Sequence, residues 1–196
     1  MLRICVIICL LSGVLSQTPG LGSCPQPKVQ SKFNLEKYQG LWYEMRHSIP
    51  NIYELYSKCT TANYTLDEYG FLIAENRQFS TVNRFQTRMM GNATIDKENC
   101  DEDSPECGKL IIGFPSAYTG KTIGPYWVLA TDYSSFATVW SCIEYDSYHF
   151  KYVWILAREE HPATSVVKAA MRILKINGLN DIPMADTNQN DCPLKI

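Results

Sequence analysis

Cysteine and histidine are the side chains of this sequence with the broadest chemistry, since they serve as nucleophiles, metal ligands or disulfide partners. The three histidines, His47, His149 and His161, are scattered along the chain, and no two cysteines have the Cys-x-x-Cys spacing of a zinc site. The placing of serine, histidine and aspartate residues does not suggest an activated nucleophile. The sequence therefore predicts no catalytic residue, no metal site and no cofactor.

The N-terminal segment has the layout of a secretory signal peptide. One positive charge precedes an apolar run over residues 4–15, and this run is shorter than the ~20 residues that span a bilayer. Cleavage after Ser16 fits the small-residue rule best, and cleavage after Gly22 is the alternative. We therefore expect residues 1–16 to be removed and residues 17–196 to form one exported, extracellular domain without a transmembrane segment.

Removal of the signal peptide takes two of the 8 cysteines with it. An even number remains, and in an exported chain this predicts disulfide bonds, which would leave no free thiol for catalysis. Many pairings are possible, and the spacing alone does not choose among them. The remaining cysteines are Cys24, Cys59, Cys100, Cys107, Cys142 and Cys192.

The net charge of the chain is −2. A chain with this charge lacks the strong positive potential by which proteins attract nucleic acids and anionic membranes. Aromatic residues make up 12% of the sequence, with 12 Tyr and 4 Trp. Such an abundance fits either a densely packed core or a cavity lined by aromatic side chains.

Short β-rich segments separated by turn residues cover most of the chain, which is typical of an antiparallel sandwich or barrel. From residue 162 to 176 the apolar residues change to helical spacing, with Pro162 suited to the first helical position and Gly178 to the C-terminal cap. The apolar stripe of this helix must cover the outside of the sheet. The eight predicted strands span residues 41–48, 58–67, 71–79, 83–96, 109–114, 126–131, 137–145 and 150–158.

Two glycosylation sequons, beginning at Asn63 and Asn92, determine which face of their strands meets solvent. A glycosylated asparagine must point outward, and side chains alternate along a strand. Tyr64 then points into the structure. The same alternation directs four residues around Asn92 inward, namely Phe85, Met89, Ala93 and Ile95.

The last predicted strand is apolar on both faces, as expected for a wall between a barrel interior and a covering helix. We assign Trp154 to the interior together with Tyr152 and Leu156, and Val153 and Ile155 to the space beneath the helix.

Amphipathic groups occur among the apolar residues of the predicted inner face. An eight-stranded barrel either fills with side chains or holds one small ligand, and apolar walls with a few polar groups describe a ligand pocket. In the alternative interpretation Asn76 and Gln78 face solvent at a sheet edge. Arg46 and His47 could meet a ligand carboxylate, but we expect both to face solvent. The amphipathic inner residues are Tyr64, Asn76, Gln78, Tyr126 and Trp154.

Three segments in this order resemble the signature of the lipocalin family. They are Gly40-Leu41-Trp42-Tyr43-Glu44, preceded by Phe33 and Tyr38; Thr131-Asp132-Tyr133; and Ala157-Arg158. The resemblance implies an all-β fold, in which an eight-stranded antiparallel up-and-down barrel carries one C-terminal α-helix on its outside. It also implies that Trp42 and Arg158 stack at the closed end, a cation–π contact worth roughly 1–2 kcal/mol, and that residues 131–133 order the neighbouring turn.

The same resemblance implies two disulfide bonds, Cys24–Cys142 and Cys59–Cys192. Cys100 and Cys107 have no counterparts in the relatives that the sequence resembles. This leftover pair should form a bond across an acidic turn and contribute about 2–3 kcal/mol. The pocket positions that the resemblance implies are Tyr64, Asn76, Phe114, Tyr126 and Trp154.

The function expected from the resemblance is that of a secreted, monomeric carrier for a small hydrophobic molecule, such as a fatty acid, a sterol or a tetrapyrrole of the bilin class. The loop over residues 116–124 is longer than in the relatives, so the identity of the ligand does not transfer. One alternative is an interaction protein whose mouth loops bind a cell-surface receptor. The acidic turn at 101–106 motivates it, although a solvated charged turn is the simpler interpretation. A lipocalin-type enzyme is the other alternative, and it would need an activated nucleophile, such as a free interior cysteine, or an acid–base pair inside the barrel.

Overall fold

The computed structural model describes residues 20–51, 54–101, 106–116 and 120–193. The expected signal peptide, residues 1–16, lies outside the described residues. The helices and strands are β1 (Gly20–Leu21), α1 (Leu35–Tyr38), β2 (Gly40–Ser48), β3 (Ser57–Leu66), β4 (Leu72–Ser80), β5 (Gln86–Ile95), β6 (Lys109–Ser116), β7 (Gly120–Thr131), β8 (Phe136–Tyr145), β9 (Tyr148–Ala157), α2 (Thr164–Ile176) and β10 (Met184–Asp186).

The strands β2 to β9 form a closed antiparallel barrel. Each pairs with the next along the chain, and β2 also pairs with β9, which joins the two ends of the sheet. The predicted eight-stranded up-and-down barrel with one C-terminal helix is therefore confirmed. Neither helix in the described ranges combines the length and the apolar character needed to cross a membrane.

Side chains alternate between two apolar cores. One core fills the lower part of the barrel, towards the end that holds Trp42, and there Leu72 of β4 and Leu110 of β6 are fully buried. The other lies between the outer wall and α2, where Val153 and Ile155 of β9 pack with Leu174 of the helix. The assignment of these two β9 residues to the space beneath the helix is confirmed.

The covering helix α2 begins at Thr164 rather than at Pro162, because Ala163 keeps an extended conformation as the N-cap residue. Its C-terminus follows the prediction. Gly178 has a φ of +69°, which glycine adopts without steric cost, and its N–H donates to Lys175 O. Thr138 Oγ1 of β8 donates a 3.0 Å hydrogen bond to Ala170 O and attaches the helix to the barrel wall.

Two predictions about the open end were wrong. We expected a loop over residues 116–124, but β6 and β7 continue as a hairpin in which Ser116 lies opposite Gly120. Backbone hydrogen bonds extend this ladder regardless of its polar side chains. We also expected Phe85 inside, but β5 begins at Gln86, and Phe85 is 51% exposed in the preceding turn.

The C-terminal tail covers a part of the barrel wall where β2 and β3 are not paired. Pairing of β2 with β3 stops at Tyr43 and Thr61, and beyond that point β10 pairs with β2 instead. Gln189 Nε2 donates 2.8 Å hydrogen bonds to Glu44 O on β2 and to Thr60 O on β3, which bridges the two strands. The tail is therefore part of the wall and places its side chains beside those of β2.

Three disulfide bonds hold the termini and one loop. Their S–S distances are 2.04 Å for Cys24–Cys142, 2.10 Å for Cys59–Cys192 and 2.00 Å for Cys100–Cys107. These are the pairs expected from the sequence and its resemblance. The first two join the N-terminal segment and the C-terminal tail to the barrel.

Candidate ligand-binding site

One end of the barrel is closed by Arg158 and Trp42. The guanidinium carbon lies 3.7 Å from the centroid of the indole ring. Arg158 Nε and Nη1 each donate a 2.9 Å hydrogen bond, to Tyr133 O and Leu41 O respectively. A Cβ on Gly40 would lie 3.1 Å from Arg158 Nη1, and the φ of Gly40 is +93°, so both space and backbone favour glycine here.

The turn after β7 is ordered by its own side chains. Thr131 Oγ1 donates to Phe136 O at 2.6 Å and accepts from Tyr133 N at 2.9 Å. Asp132 Oδ1 accepts three backbone N–H bonds, from residues 134, 135 and 136. Partial burial raises the pKa of Asp132, but the hydrogen bonds to Ser135 and the backbone outweigh it and lower the pKa overall. These contacts give this turn a structural role.

Three tyrosines meet above the closed end. Tyr126 Oη lies 2.9 Å from Tyr38 Oη and 2.7 Å from Tyr64 Oη. Burial raises the pKa of all three hydroxyls, that of Tyr64 to about 12, so they remain protonated at neutral pH. Tyr38 and Tyr64 are buried, whereas Tyr126 is partly exposed. The cluster forms the floor of the upper part of the barrel.

The exposure of inward-facing side chains increases from the closed end towards the opposite end. On β4, Leu72 and Ala74 are buried, while Asn76 and Gln78 are only half-buried. On β9, Leu156 is buried and Trp154 is half-buried. An inward-facing side chain that keeps solvent access must border open space. The barrel interior therefore has a solvent-open recess at this end, the hollow, whereas two cavities of about 850 and 530 Å³ lie outside the barrel wall, beside α2 and the C-terminal tail.

Asn76 and Gln78 do not lie at a sheet edge, because β4 pairs along its length with β3 and β5. Asn76 is opposite Ala62 on one side and Met89 on the other. Its Oδ1 is buried and makes no hydrogen bond among the described residues. Met89 faces the same space but is 43% exposed near the rim. The Asn76 side chain thus faces the hollow, although its Oδ1 atom itself is out of contact with solvent.

Phe114 and Trp154 contribute the apolar walls. Phe114, on β6, packs against the inner core. Its ring occupies the space beside Gly91, because a Cβ on Gly91 would lie 2.6 Å from the ring. Trp154 stacks on Tyr152, with 6.1 Å between ring centroids and 13° between planes. These residues place flat apolar surfaces on opposite sides of the barrel.

His47 faces the interior, so the expectation that it faces solvent was wrong. A β-bulge between Glu44 and Arg46 shifts the alternation, and Glu44 and His47 both point inward while Arg46 forms an ion pair with Asp186 outside. The His47 side chain is only 13% exposed.

Sequence reasoning missed the polar cluster around His47. His47 Nδ1 lies 2.9 Å from Glu44 Oε1 and 3.0 Å from Glu54 Oε2. Trp154 Nε1 donates a 2.8 Å hydrogen bond to Glu54 Oε1, which ties the cluster to the aromatic wall. Glu54 belongs to the loop between β2 and β3, and no periodic pattern indicates where such a loop folds.

The charges of this cluster depend on one another. Burial lowers the pKa of His47, but the adjoining carboxylates outweigh it and raise the pKa to about 10. Burial and the nearby charge of Glu54 raise the pKa of Glu44 to about 8. Burial opposes ionisation of Glu54, but its hydrogen bond with His47 lowers the pKa. The cluster therefore has an ionised Glu54 beside a protonated His47.

The family model of the lipocalin-like domain matches residues 33–187. The chain is a lipocalin. It is 34% identical to apolipoprotein D of Macaca fascicularis over 205 residues and 35% identical to apolipoprotein D of Bos taurus over 201 residues, with 98% of each chain covered in both cases. Insecticyanin of Manduca sexta has the same fold, with a TM-score of 0.73 at 24% identity over 86% of this chain and 87% of its own.

The likeness of this lipocalin to apolipoprotein D was also predicted from segments of the sequence, 23–30, 62–66, 125–133 and 154–158, and it is confirmed. The loop closed by Cys100 and Cys107 lies at the closed end, because Glu106 O accepts a 2.6 Å hydrogen bond from Phe33 N beside the inner core. This acidic loop is therefore not a mouth loop of the lipocalin. The mouth is formed by the connections β2–β3, β4–β5, β6–β7 and β8–β9.

Proposed function

We propose that this lipocalin is a secreted, non-enzymatic carrier that binds one small hydrophobic molecule in the upper half of its barrel. A fatty acid, a sterol or a tetrapyrrole of the bilin class fits this description. The observation that carries the proposal is the gradient of exposure on the inward face, from Leu72 and Leu156 at the floor to Gln78 and Trp154 near the opening. The lipocalin resemblance implies the same role.

Binding would be driven by removal of apolar surface from water. A ligand that buries ten CH₂ groups gains roughly 8 kcal/mol before the costs of association. Tyr126, Phe114 and Trp154 supply the contact area, while Asn76 and Gln78 orient polar groups of the ligand. All cysteines among the described residues are in disulfide bonds, so that part of the chain offers no free thiol as a nucleophile for the enzyme alternative.

The export of the chain and its modification belong to the same proposal. Three disulfide bonds are typical of proteins from oxidising compartments. Cleavage after Ser16 would retain β1, whose Gly20 pairs with His149, whereas cleavage after Gly22 would remove it. Asn63 lies opposite Glu75, and Asn92 lies opposite Ile73, on the outward face of the barrel. Both positions suit attached glycans.

A fluorescence titration tests the carrier proposal. The purified protein, stripped of bound lipid, would be titrated with a fatty acid, a sterol and a bilin while tryptophan emission is followed. Trp154→Phe removes the indole at the hollow. Trp127→Phe is the matched control, because Trp127 lies on the outer face with Lys109 Nζ 4.7 Å from its ring.

At least one ligand class should quench the emission of the wild-type protein and of Trp127→Phe at micromolar concentration. Trp154→Phe should lose most of the quenching. The proposal fails if none of the three classes binds, or if the quenching is the same in both variants.

A further inference from the structure

We propose that Glu44, His47 and Glu54 form a binding site for one divalent transition-metal cation of the zinc class on the inner wall of the barrel. Nothing in the sequence spacing predicted this site, because its members come from β2 and from the loop that follows. The β-bulge after Glu44 and the inward fold of the loop bring them together.

The ligand atoms already converge. One atom from each of Glu44, His47 and Glu54 lies within 4.8 Å of the others. Thr187 Oγ1 from the C-terminal tail lies 3.1 Å from His47 Nδ1 and donates to Glu44 Oε1. Ligand atoms around tetrahedral zinc are about 3.3 Å apart, since each bond is about 2.0 Å long. The two distances from His47 Nδ1 to the carboxylate oxygens, 2.9 and 3.0 Å, are thus a few tenths of an ångström shorter than those around a bound ion.

Glu54 Oε2 points into the cluster. It is buried, on a side chain that is 9% exposed, and lies 3.0 Å from His47 Nδ1 as an ion pair without a well-aligned hydrogen bond. His47 Nδ1 carries at most one hydrogen, but oxygens of Glu44, Glu54 and Thr187 all lie within 3.1 Å of it. One proton cannot serve three acceptors, whereas one cation can coordinate all the surrounding atoms.

The donor set determines which cation fits. Two carboxylates balance a double positive charge, and one imidazole nitrogen favours zinc, cobalt or copper over calcium and magnesium, which prefer oxygen ligands alone. The second carboxylate oxygen of Glu54, which would not ligate the ion, is also held in place. Glu54 Oε1 accepts hydrogen bonds from Trp154 Nε1 at 2.8 Å and Asn51 Nδ2 at 3.0 Å, and such second contacts orient a ligating carboxylate.

A titration of the full mature protein with Zn²⁺ against a chromogenic chelator, after removal of bound metal, tests the site. We expect one Zn²⁺ per chain, with affinity at least tenfold lower in His47→Gln and Glu54→Gln. His161→Gln is the control, because His161 is exposed outside the barrel. It should bind as the wild type does. Circular dichroism and the Tm would identify a variant that has not folded.

X-ray absorption of the wild-type Zn²⁺ complex keeps the test independent of the variants. The proposal requires one imidazole nitrogen and at least two oxygens around the ion. It is overturned if no Zn²⁺ binds, if neither variant at positions 47 and 54 weakens binding, or if the ligands are all oxygen. None of these outcomes depends on the apolar ligand, so the carrier proposal stands or fails separately.

Discussion

The Tyr38–Tyr64–Tyr126 cluster gives a sharp prediction about stability. Tyr126→Phe removes the one hydroxyl that joins the other two, at 2.9 and 2.7 Å. Each bond contributes about 1 kcal/mol net, and a buried hydroxyl left without a partner costs about 1–3 kcal/mol. We therefore expect Tyr126→Phe to lower the free energy of unfolding by about 2–4 kcal/mol, although the ring and its packing remain.

The triple variant with phenylalanine at all three positions separates hydrogen bonding from packing. The rings stay close, with centroids 5.2 Å apart for Tyr38 and Tyr64 and 6.1 Å apart for Tyr64 and Tyr126. No hydroxyl is then left unpaired, and replacing all partners by apolar groups of the same shape is nearly neutral. The triple variant should therefore be more stable than the single one and within about 1 kcal/mol of the wild type.

Guanidinium unfolding under non-reducing conditions, followed by circular dichroism, measures both values. A separate thermal scan should show a Tm of Tyr126→Phe that is lower by roughly 5–15 °C, for a chain of this size. A single variant as stable as the wild type, or a triple variant less stable than the single one, would show that the hydroxyl network is not what stabilises the floor of the barrel.

Three further predictions concern the rest of the scaffold. Burial raises the pKa of Tyr64 to about 12 and raises the pKa values of Tyr38 and Tyr126 as well, so unfolding near pH 11 releases protons. The free energy of unfolding should therefore be undiminished below about pH 10 and should fall as the pH rises through 12. Guanidinium midpoints would show this fall, which should be less steep in the triple variant. Arg158→Lys should cost about 2–3 kcal/mol in thermal unfolding, since lysine cannot make several directed bonds while stacking on Trp42; equal stability would mean that the charge alone matters. Replacing Cys100 and Cys107 by serine should cost about 2.5 kcal/mol and leave ligand affinity unchanged, because their loop lies at the closed end; a change in affinity would contradict that placement.

Local patterns indicated the class of fold. Eight β-rich segments followed by one helical stripe predict an antiparallel sandwich or barrel with a covering helix, and the resemblance to lipocalins implied the closed barrel. The alternation that follows from Asn63 also placed Tyr64 inside, and it holds because β3 pairs regularly with β4 from position 61 to 66.

Local patterns failed where the pairing itself is irregular. His47 was expected to face solvent, but the bulge between Glu44 and Arg46 turns it inward, and nothing in the sequence pattern indicates that bulge. The hairpin at 116–120 was missed because its backbone hydrogen bonds do not depend on apolar side chains.

The sequence by itself determined the strands and the covering helix, which follow from short-range spacing, while its resemblance to a family signature indicated the residues that close the barrel. Only the tertiary structure decided that Glu54 folds inward beneath Trp154 and that Thr187 of the tail reaches the same place. The reason is that a loop and a tail have no period. Their positions depend on which unpaired edge or unsatisfied group the completed barrel leaves for them.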